Sequence, residues 1–525
     1  ILDRLNKIED EIAVYDELIT RFSTNTNENI LIQMANALHN KGVRLSDLNR
    51  FEEAINAYNE VIKRFIENTN TNIQERAIDG LINKGVILGK LDRNEEAIEV
   101  FDVLLSHFHH VSEDSMQNKI AMCLLNKGLA LGNLNKNDEA ILLYDDLFNQ
   151  FKNSTNELIQ EQISNALYNK AVVLSKNNKN EEAIKSYNDF LKIYPTTQNE
   201  NIKEVVSKAF VNMGIIHGLL NQYDDAITIY DKFINLFHQT DNKKIEIEIM
   251  RAYNSKGYSL VQQGKFEEAL IVFDQALDKI ETTQNEVFNE QKAKILLNKG
   301  YCFGKLERYS EEISIYDNLI SLFKSVHNDI IKETIVSAQI NKGIRLIEIG
   351  ENTTALDIFY QLTQQLQDMK DEKQQDILAN VYFHIGLIHG RKKHFYESIQ
   401  SYEKAIEIKP KNPEAYTNLL EVQLIYSQRF ETTTVEKFYE ICKDDKQTLL
   451  KYNMLKSVHD ALFQEQSENI STLKKEFKGI NFGEWGWTEL DEWANNLKDT
   501  EAKARVLATI EQFKNWELDS QSSRE

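Results

Sequence analysis

The chain has 525 residues, with 61 lysines and arginines against 82 aspartates and glutamates, a formal net charge of −21. That balance argues against a nucleic-acid backbone as ligand, because phosphate binding needs clustered cations, and no apolar run approaches the roughly 18 residues of a membrane span. Three widely spaced cysteines, Cys123, Cys302 and Cys442, offer neither a disulfide framework nor paired metal-ligand spacing, which fits a reducing compartment such as the cytoplasm.

The chain opens "ILDRLNKIED", without an initiator Met or the apolar core of a signal peptide. Residues 1–22 read as a lone second helix whose partner is missing, which suggests that something precedes Ile1. From residue 38 a phrase begins to recur. "LHNKGVRLSDLNRFEEAINAYNEVIKRF" (38–65) returns as "LINKGVILGKLDRNEEAIEVFDVLLSHF" (81–108) and "LLNKGLALGNLNKNDEAILLYDDLFNQF" (124–151). Its small residue stands at Gly42, Gly85, Gly128, Ala171, Gly214, Gly257, Gly300, Gly343 and Gly386, in steps of 43. Twelve positions later comes a second small residue, Ala54 to Ala269 without exception, then Glu312, Ala355 and Ser398. Four further on an aromatic recurs: Tyr58, Phe101, Tyr144, Tyr187, Tyr230, Phe273, Tyr316, Phe359 and Tyr402, with Tyr15 one step earlier. A period of this size signals a solenoid or array.

Each unit reads as two helices. Leu38, Gly42 and Leu45 share one face of the first, and Ala54, Ile55, Tyr58 and Val61 one face of the second. Asn94 and Asn180, each followed by two glutamates, read as N-caps of second helices, with acids set against the helix dipole. Between units, stretches such as "IENTNTNIQERAIDG" (66–80) begin as turn-forming Asn and Thr and end helix-periodic. Gly on one helix and Ala on the other allow close backbone approach, with the aromatic filling the space between.

This small–small–aromatic pattern resembles the tetratricopeptide repeat, in the "NKG" form common in bacterial and archaeal proteins, extended beyond the usual repeat of about 34 residues. The resemblance covers roughly residues 1–429. It implies an all-α, right-handed superhelical solenoid of antiparallel helix pairs, with a concave groove lined mainly by first helices. Residues 23–429 would hold nine 43-residue repeats plus one helix at standard spacing. Pro410 stands where the family places its helix-ending proline, and Pro195 at an equivalent place.

Two residues before the small residue stand Asn40, Asn83, Asn126, Asn169, Asn212, Asn298 and Asn341, interrupted by Ser255 and followed by His384. In relatives that bind extended peptides the matching asparagine bonds the ligand main chain. The resemblance therefore implies an amide ladder; alternatively, Asn merely contacts water or a neighbouring helix. Lys90, Lys176, Lys305 and Arg391, five residues after the small position, are candidates for acidic side chains or a carboxylate; solvated faces would produce the same pattern. The lysines just before each glycine read as structural, stems on apolar surface and charges in water.

"HFHH" (107–110) reads as surface histidines, and His384, His389 and His394, five apart, spread around their helix. No HExxH, GxSxG or phosphate-loop motif is present, so neither catalytic residue nor metal nor cofactor is expected.

Beyond residue 430 the period is lost. Residues 430–525 read as a helical module carrying all four tryptophans, with helices from Thr488, opened by a capping-box-like Thr-x-x-Asp, and over 500–517. It serves either as the cap every solenoid needs or as a docking surface through Trp485, Trp487 and Trp493. The reading is a non-enzymatic scaffold for a protein or peptide partner. The alternative is a sensor arm of a larger effector, such as a bacterial defence protein, whose catalytic domain lies outside these residues. Protomer association is left open.

Overall fold

The computed structural model describes residues 2–108, 114–283, 286–368, 371–463, 470–480, 482 and 486–522. His109, His110 and Trp485 lie outside them. All regular elements among the described residues are helical, and none is long and apolar enough to cross a membrane. Packing divides the chain into two units, residues 1–291 and 292–525.

The first unit begins with α1 (Leu2–Arg21). It continues as pairs: α2 (Glu28–Asp47) with α3 (Phe51–Phe65), α4 (Thr71–Lys90) with α5 (Asn94–Phe108), and α6 (Asp114–Asn133) with α7 (Asn137–Phe151). Next come α8 (Glu157–Lys176) with α9 (Asn180–Ile193), α10 (Glu200–Leu219) with α11 (Tyr223–Phe237), and α12 (Lys243–Gln262) with α13 (Phe266–Thr283). The second unit holds α14 (Asn289–Lys305), whose first turn falls at the boundary, paired with α15 (Tyr309–Phe323). There follow α16 (Asp329–Glu348) with α17 (Asn352–Leu366) and α18 (Glu372–Arg391) with α19 (Phe395–Ile408). Beyond them lie α20 (Pro413–Ser427), α21 (Thr432–Cys442), α22 (Lys446–Phe463), α23 (Ile470–Glu476), α24 (Thr488–Asn495) and α25 (Thr500–Ser522).

Sequence sets both ends of seven of the first helices. Asn27, Asn70, Asn156, Asn199, Asn242 and Asn328 precede them, and their side chains accept from N–H groups of the first turn; Asp371 does the same for α18. At the other end one residue per repeat takes a left-handed backbone: Asn49, Asp92, Asn135, Asn178, Asn221, Gly264, Glu307, Gly350 and Lys393. The next N–H then reaches back to the helix, as Arg50 N–H does to the Leu45 carbonyl at 2.9 Å, the closing bond of a Schellman-type stop.

The expected caps on the second helices are not there. Asn180 is the first helical residue of α9, behind Lys179, which makes no side-chain cap bond, and Asn94 is likewise already inside α5. The left-handed residue has turned the chain, so the amide has no free first-turn N–H in front of it. A base at the cap position holds the first-turn acid instead, as Arg93 does with Glu96 through two bonds of 2.6 Å. Thr488 is also inside its helix, behind Trp487, whereas Asp499 caps α25 through the N–H groups of Glu501 and Ala502.

The repeat core is a wedge. A methyl placed on Gly42, Gly128, Gly214 or Gly343 would come within 2.5 Å of the ring of Tyr58, Tyr144, Tyr230 or Phe359 on the paired second helix. No real Cβ tolerates that distance, so glycine fixes how closely the two helices approach. The alanines at 54, 97, 140, 183, 226, 269 and 355 are fully buried. Glu312 breaks that series: it is buried, faces Gly304, and accepts from Arg345 Nε at 2.5 Å.

Within the first unit each first helix packs on the next first helix, α2 on α4 and so on to α12. Each second helix packs between its own first helix and the following one, and among the described residues no second helix packs appreciably on another. First helices therefore form the closer-packed layer of this unit.

In the second unit α20 carries α21, α22 and α24 against it, and α22 packs on α25. Their shared core includes Phe438, Leu450, Leu473, Phe482, Phe513 and Trp516.

Candidate functional site

On each first helix the asparagine, the residue three further on and the residue seven further on share one face. In α4 these are Asn83, Val86 and Lys90; in α6, Asn126, Leu129 and Asn133; in α8, Asn169, Val172 and Lys176; in α10, Asn212, Ile215 and Leu219. In the second unit they are Asn298, Tyr301 and Lys305 on α14, Asn341, Ile344 and Glu348 on α16, and His384, Leu387 and Arg391 on α18. Exposure rises along the stripe. Asn40 is exposed, the other asparagines are half-buried, and Lys90, Lys176, Lys305 and Arg391 are exposed. Leu129, Leu219, Tyr258 and Tyr301 are large apolar side chains open to solvent on the same faces.

The buried end of the stripe is engaged by the preceding repeat. Asn212 Nδ2 donates to the hydroxyls of Tyr168 at 2.9 Å and Tyr187 at 3.4 Å. Asn341 donates to Tyr316, 25 positions earlier, and Asn83 hydrogen-bonds Tyr58 at the same offset. Ser255 takes over the bond to Tyr230, and Asn418 on α20 donates to Tyr402. Burial pushes these phenols up, Tyr58 to about 12. Where the earlier aromatic is Phe101, Asn126 turns back to its own Met122 carbonyl at 2.8 Å. The Tyr144 hydroxyl is buried with no partner among the described residues, so Asn169 does not complete the pattern.

The neighbouring lysine makes a parallel contact. Lys41, Lys127, Lys170 and Lys256 bond Asp16, Asp102, Asp145 and Asp231 at 2.5–2.6 Å, and Lys342 pairs likewise with Asp317, all at the offset of 25. Sequence reading treats these lysines as stems on apolar surface. Their charges in fact reach the aspartate that follows the wedge aromatic. The residues "Asn-Lys" of one repeat thus clasp "Tyr-Asp" of the one before. At the same offset from Lys84 the sequence has Asn59 where the others have an aspartate, and burial lowers the Lys84 pKa.

Of the charged candidates, Lys305 lies over the Tyr301 ring, 5.3 Å from its centroid, and Arg391 donates to the Ile347 carbonyl at 3.4 Å. Trp487 and Trp493 are half-buried against the core of the C-terminal helices, Trp487 Nε1 donating to Glu517 at 2.7 Å. The three histidines of α18 and its turn are less spread than their spacing predicts. His389 and His394 have ring centroids 5.7 Å apart, His389 Nε2 meets the Tyr360 hydroxyl at 2.8 Å, and His384 stacks on Phe359. Burial lowers His384 to about 4, which keeps it neutral. Among the described residues no three His, Cys, Asp or Glu side chains gather closely enough to hold a metal ion.

Sequence reasoning missed the cavity of about 460 Å³ in the second unit. It is walled by α16, α18, α20 and α24, with Glu421 and Glu489 facing into it. The odd placement of an acid inside the apolar pattern of α20 was its one sequence signal.

Tetratricopeptide-repeat family models match residues 35–64, 164–197, 251–278 and 379–412, and a further tetratricopeptide-repeat model matches 208–239. No curated protein matches the sequence. Among solved structures, the apo form of RapI is 12% identical over 71% of this chain and 98% of its own, with a TM-score of 0.48. The apo form of the quorum sensor NprR from B. thuringiensis is 18% identical over 70% and 98%, with a TM-score of 0.41. A tetratricopeptide repeat protein from Parabacteroides merdae is 13% identical over 58% and 98%, with a TM-score of 0.36. With the recurrent glycine–aromatic wedge and five matched segments between residues 35 and 412, the chain carries tetratricopeptide repeats.

Proposed function

We propose that this chain is a non-enzymatic scaffold that holds an extended segment of a peptide or protein against its first helices. The observation that carries the reading is the stripe, with an amide at its base on most first helices, an apolar side chain in the middle and an open end that is cationic in α4, α8, α14 and α18, apolar at Leu219 in α10 and acidic at Glu348 in α16. An asparagine that spends one N–H on a tyrosine keeps a second N–H and a carbonyl, the complement of a peptide main chain. Lys90, Lys176, Lys305 and Arg391 would attract acidic side chains or a terminal carboxylate. Net hydrogen bonds of about 0.5–1.5 kcal/mol each are offset by association and ordering costs of similar size. The amides would thus set register, and the apolar and charged positions would choose the ligand. Trp487 and Trp493 serve the cap in this reading.

The test is affinity capture from native lysate with the full chain and with Asn83, Asn126 and Asn169 replaced together by Ala. The expected result is a partner retained by the parent and lost by the triple variant. Because Asn83 also holds Tyr58, Tyr58→Phe is the control, removing the clasp while keeping the amide. Equal loss from the control would make the effect structural and sink the ladder.

A further inference from the structure

The cavity under the last repeat has the chemistry of a site. Part of its wall is apolar, built from Phe383, Leu387, Phe395 and Val422 among others, and it lies wholly within the second unit. Its volume of about 460 Å³ falls within the range of small-ligand pockets. At its base Glu421 projects from α20, and its Oε1 is buried without a hydrogen-bond partner in the structure. Glu489 enters from α24. A buried carboxyl group with an unpartnered oxygen costs free energy and normally acquires a partner. We infer that this cavity binds a ligand carrying an ammonium or guanidinium group on an apolar stem, with Glu421 and Glu489 receiving the cation and the apolar walls receiving the stem.

The surroundings agree with that sign. Glu348 on α16 and Glu414 on α20 add negative charge to the lining, against Arg391 on α18 and Lys451 on α22. His384 is kept neutral by burial and supplies no positive charge, and the Tyr402 phenol, pushed up by burial, stays neutral as well. Burial first and Glu489 second push Glu421 up to about 8. In the empty site it holds a proton at neutral pH, and a bound cation favours the carboxylate and releases that proton. Nothing here depends on the asparagine row, and the test does not use it.

The probe is 4-phenylbutylguanidinium, which stays charged to high pH, titrated calorimetrically into the full chain beside the uncharged 4-phenylbutanol. One guanidinium should bind per chain, at least tenfold more tightly than the alcohol. Its affinity should rise about tenfold from pH 7 to pH 9 as Glu421 gives up its proton. Glu421→Gln keeps the shape, and should abolish both the preference for the cation and the pH dependence while leaving alcohol binding intact. A blocked tripeptide, acetyl-Phe-Arg-Phe-amide, separates the sources. Tighter binding than the free probe assigns the site to a basic residue of a chain, and weaker binding assigns it to a small cation. Equal affinity for cation and alcohol in the parent, or an unchanged preference in Glu421→Gln, would overturn the inference.

Discussion

At the residue scale, eight of the nine repeats set a glycine against the wedge aromatic, with Ala171 the exception, and their polar pairs are partly optional. Gly128→Ala forces a methyl to 2.5 Å from the Tyr144 ring. It should cost about 1–3 kcal/mol from overpacking, seen as a lower urea midpoint with an unchanged slope. An unchanged midpoint would show that the pair of helices can separate freely there. The tyrosines divide by partner. Tyr144→Phe removes a buried hydroxyl that has no partner and should be neutral or stabilising, whereas Asn212→Ala strands two phenols and should cost about 1–3 kcal/mol. Replacing Tyr168 and Tyr187 by Phe in the Asn212→Ala background should return most of that loss. Glu421 gives a pH signature. Its pKa lies above that of an unfolded glutamate, so the folded chain binds the proton more tightly. Stability contributed by that proton is present below about pH 4.5 and declines as pH rises to about 8, at up to roughly 1.4 kcal/mol per unit. Glu421→Gln should flatten this decline in thermal melts of the unliganded protein. Parallel curves for parent and variant would place Glu421 in water.

At the element scale, the helix pairs were readable because their determinants are periodic. Gly42, Ala54 and Tyr58 announce one wedge, and eight later copies announce the rest. The ends were read less well. The Asn before each first helix lay in view among other Asn and Thr residues, but only the backbone shows which amide faces a free N–H. The left-handed stop was hidden because its residue varies, from Asn49 and Gly264 to Glu307 and Lys393. Those last two carry a Cβ where glycine has no penalty. Glu307→Gly should therefore raise stability by about 0.5–1 kcal/mol, measured as an increased urea midpoint; a decrease would mean that the Glu307 side chain makes contacts worth more than the strain.

At the scale of the whole chain, the repeat architecture was legible and the surface chemistry only half so. The stripe of Asn, apolar and cationic positions follows from helical spacing. That the same amides clasp the preceding tyrosine needed coordinates, although the 25-residue offset between "Tyr-Asp" and "Asn-Lys" was present in the sequence throughout. The cavity around Glu421 escaped entirely, because helices from three successive units and from the aperiodic C-terminal end build it, and no period points to it. The acidic total of −21 adds a condition, that any partner relying on the stripe's cations meets them inside an otherwise negative surface. The most direct test of the scaffold reading is a titration with a linear peptide selected against the full chain from a random dodecapeptide library. The account predicts that replacing Asn83, Asn126 and Asn169 by Ala weakens that peptide at least tenfold while Tyr58→Phe leaves it bound as before; undiminished affinity in the triple variant would contradict it.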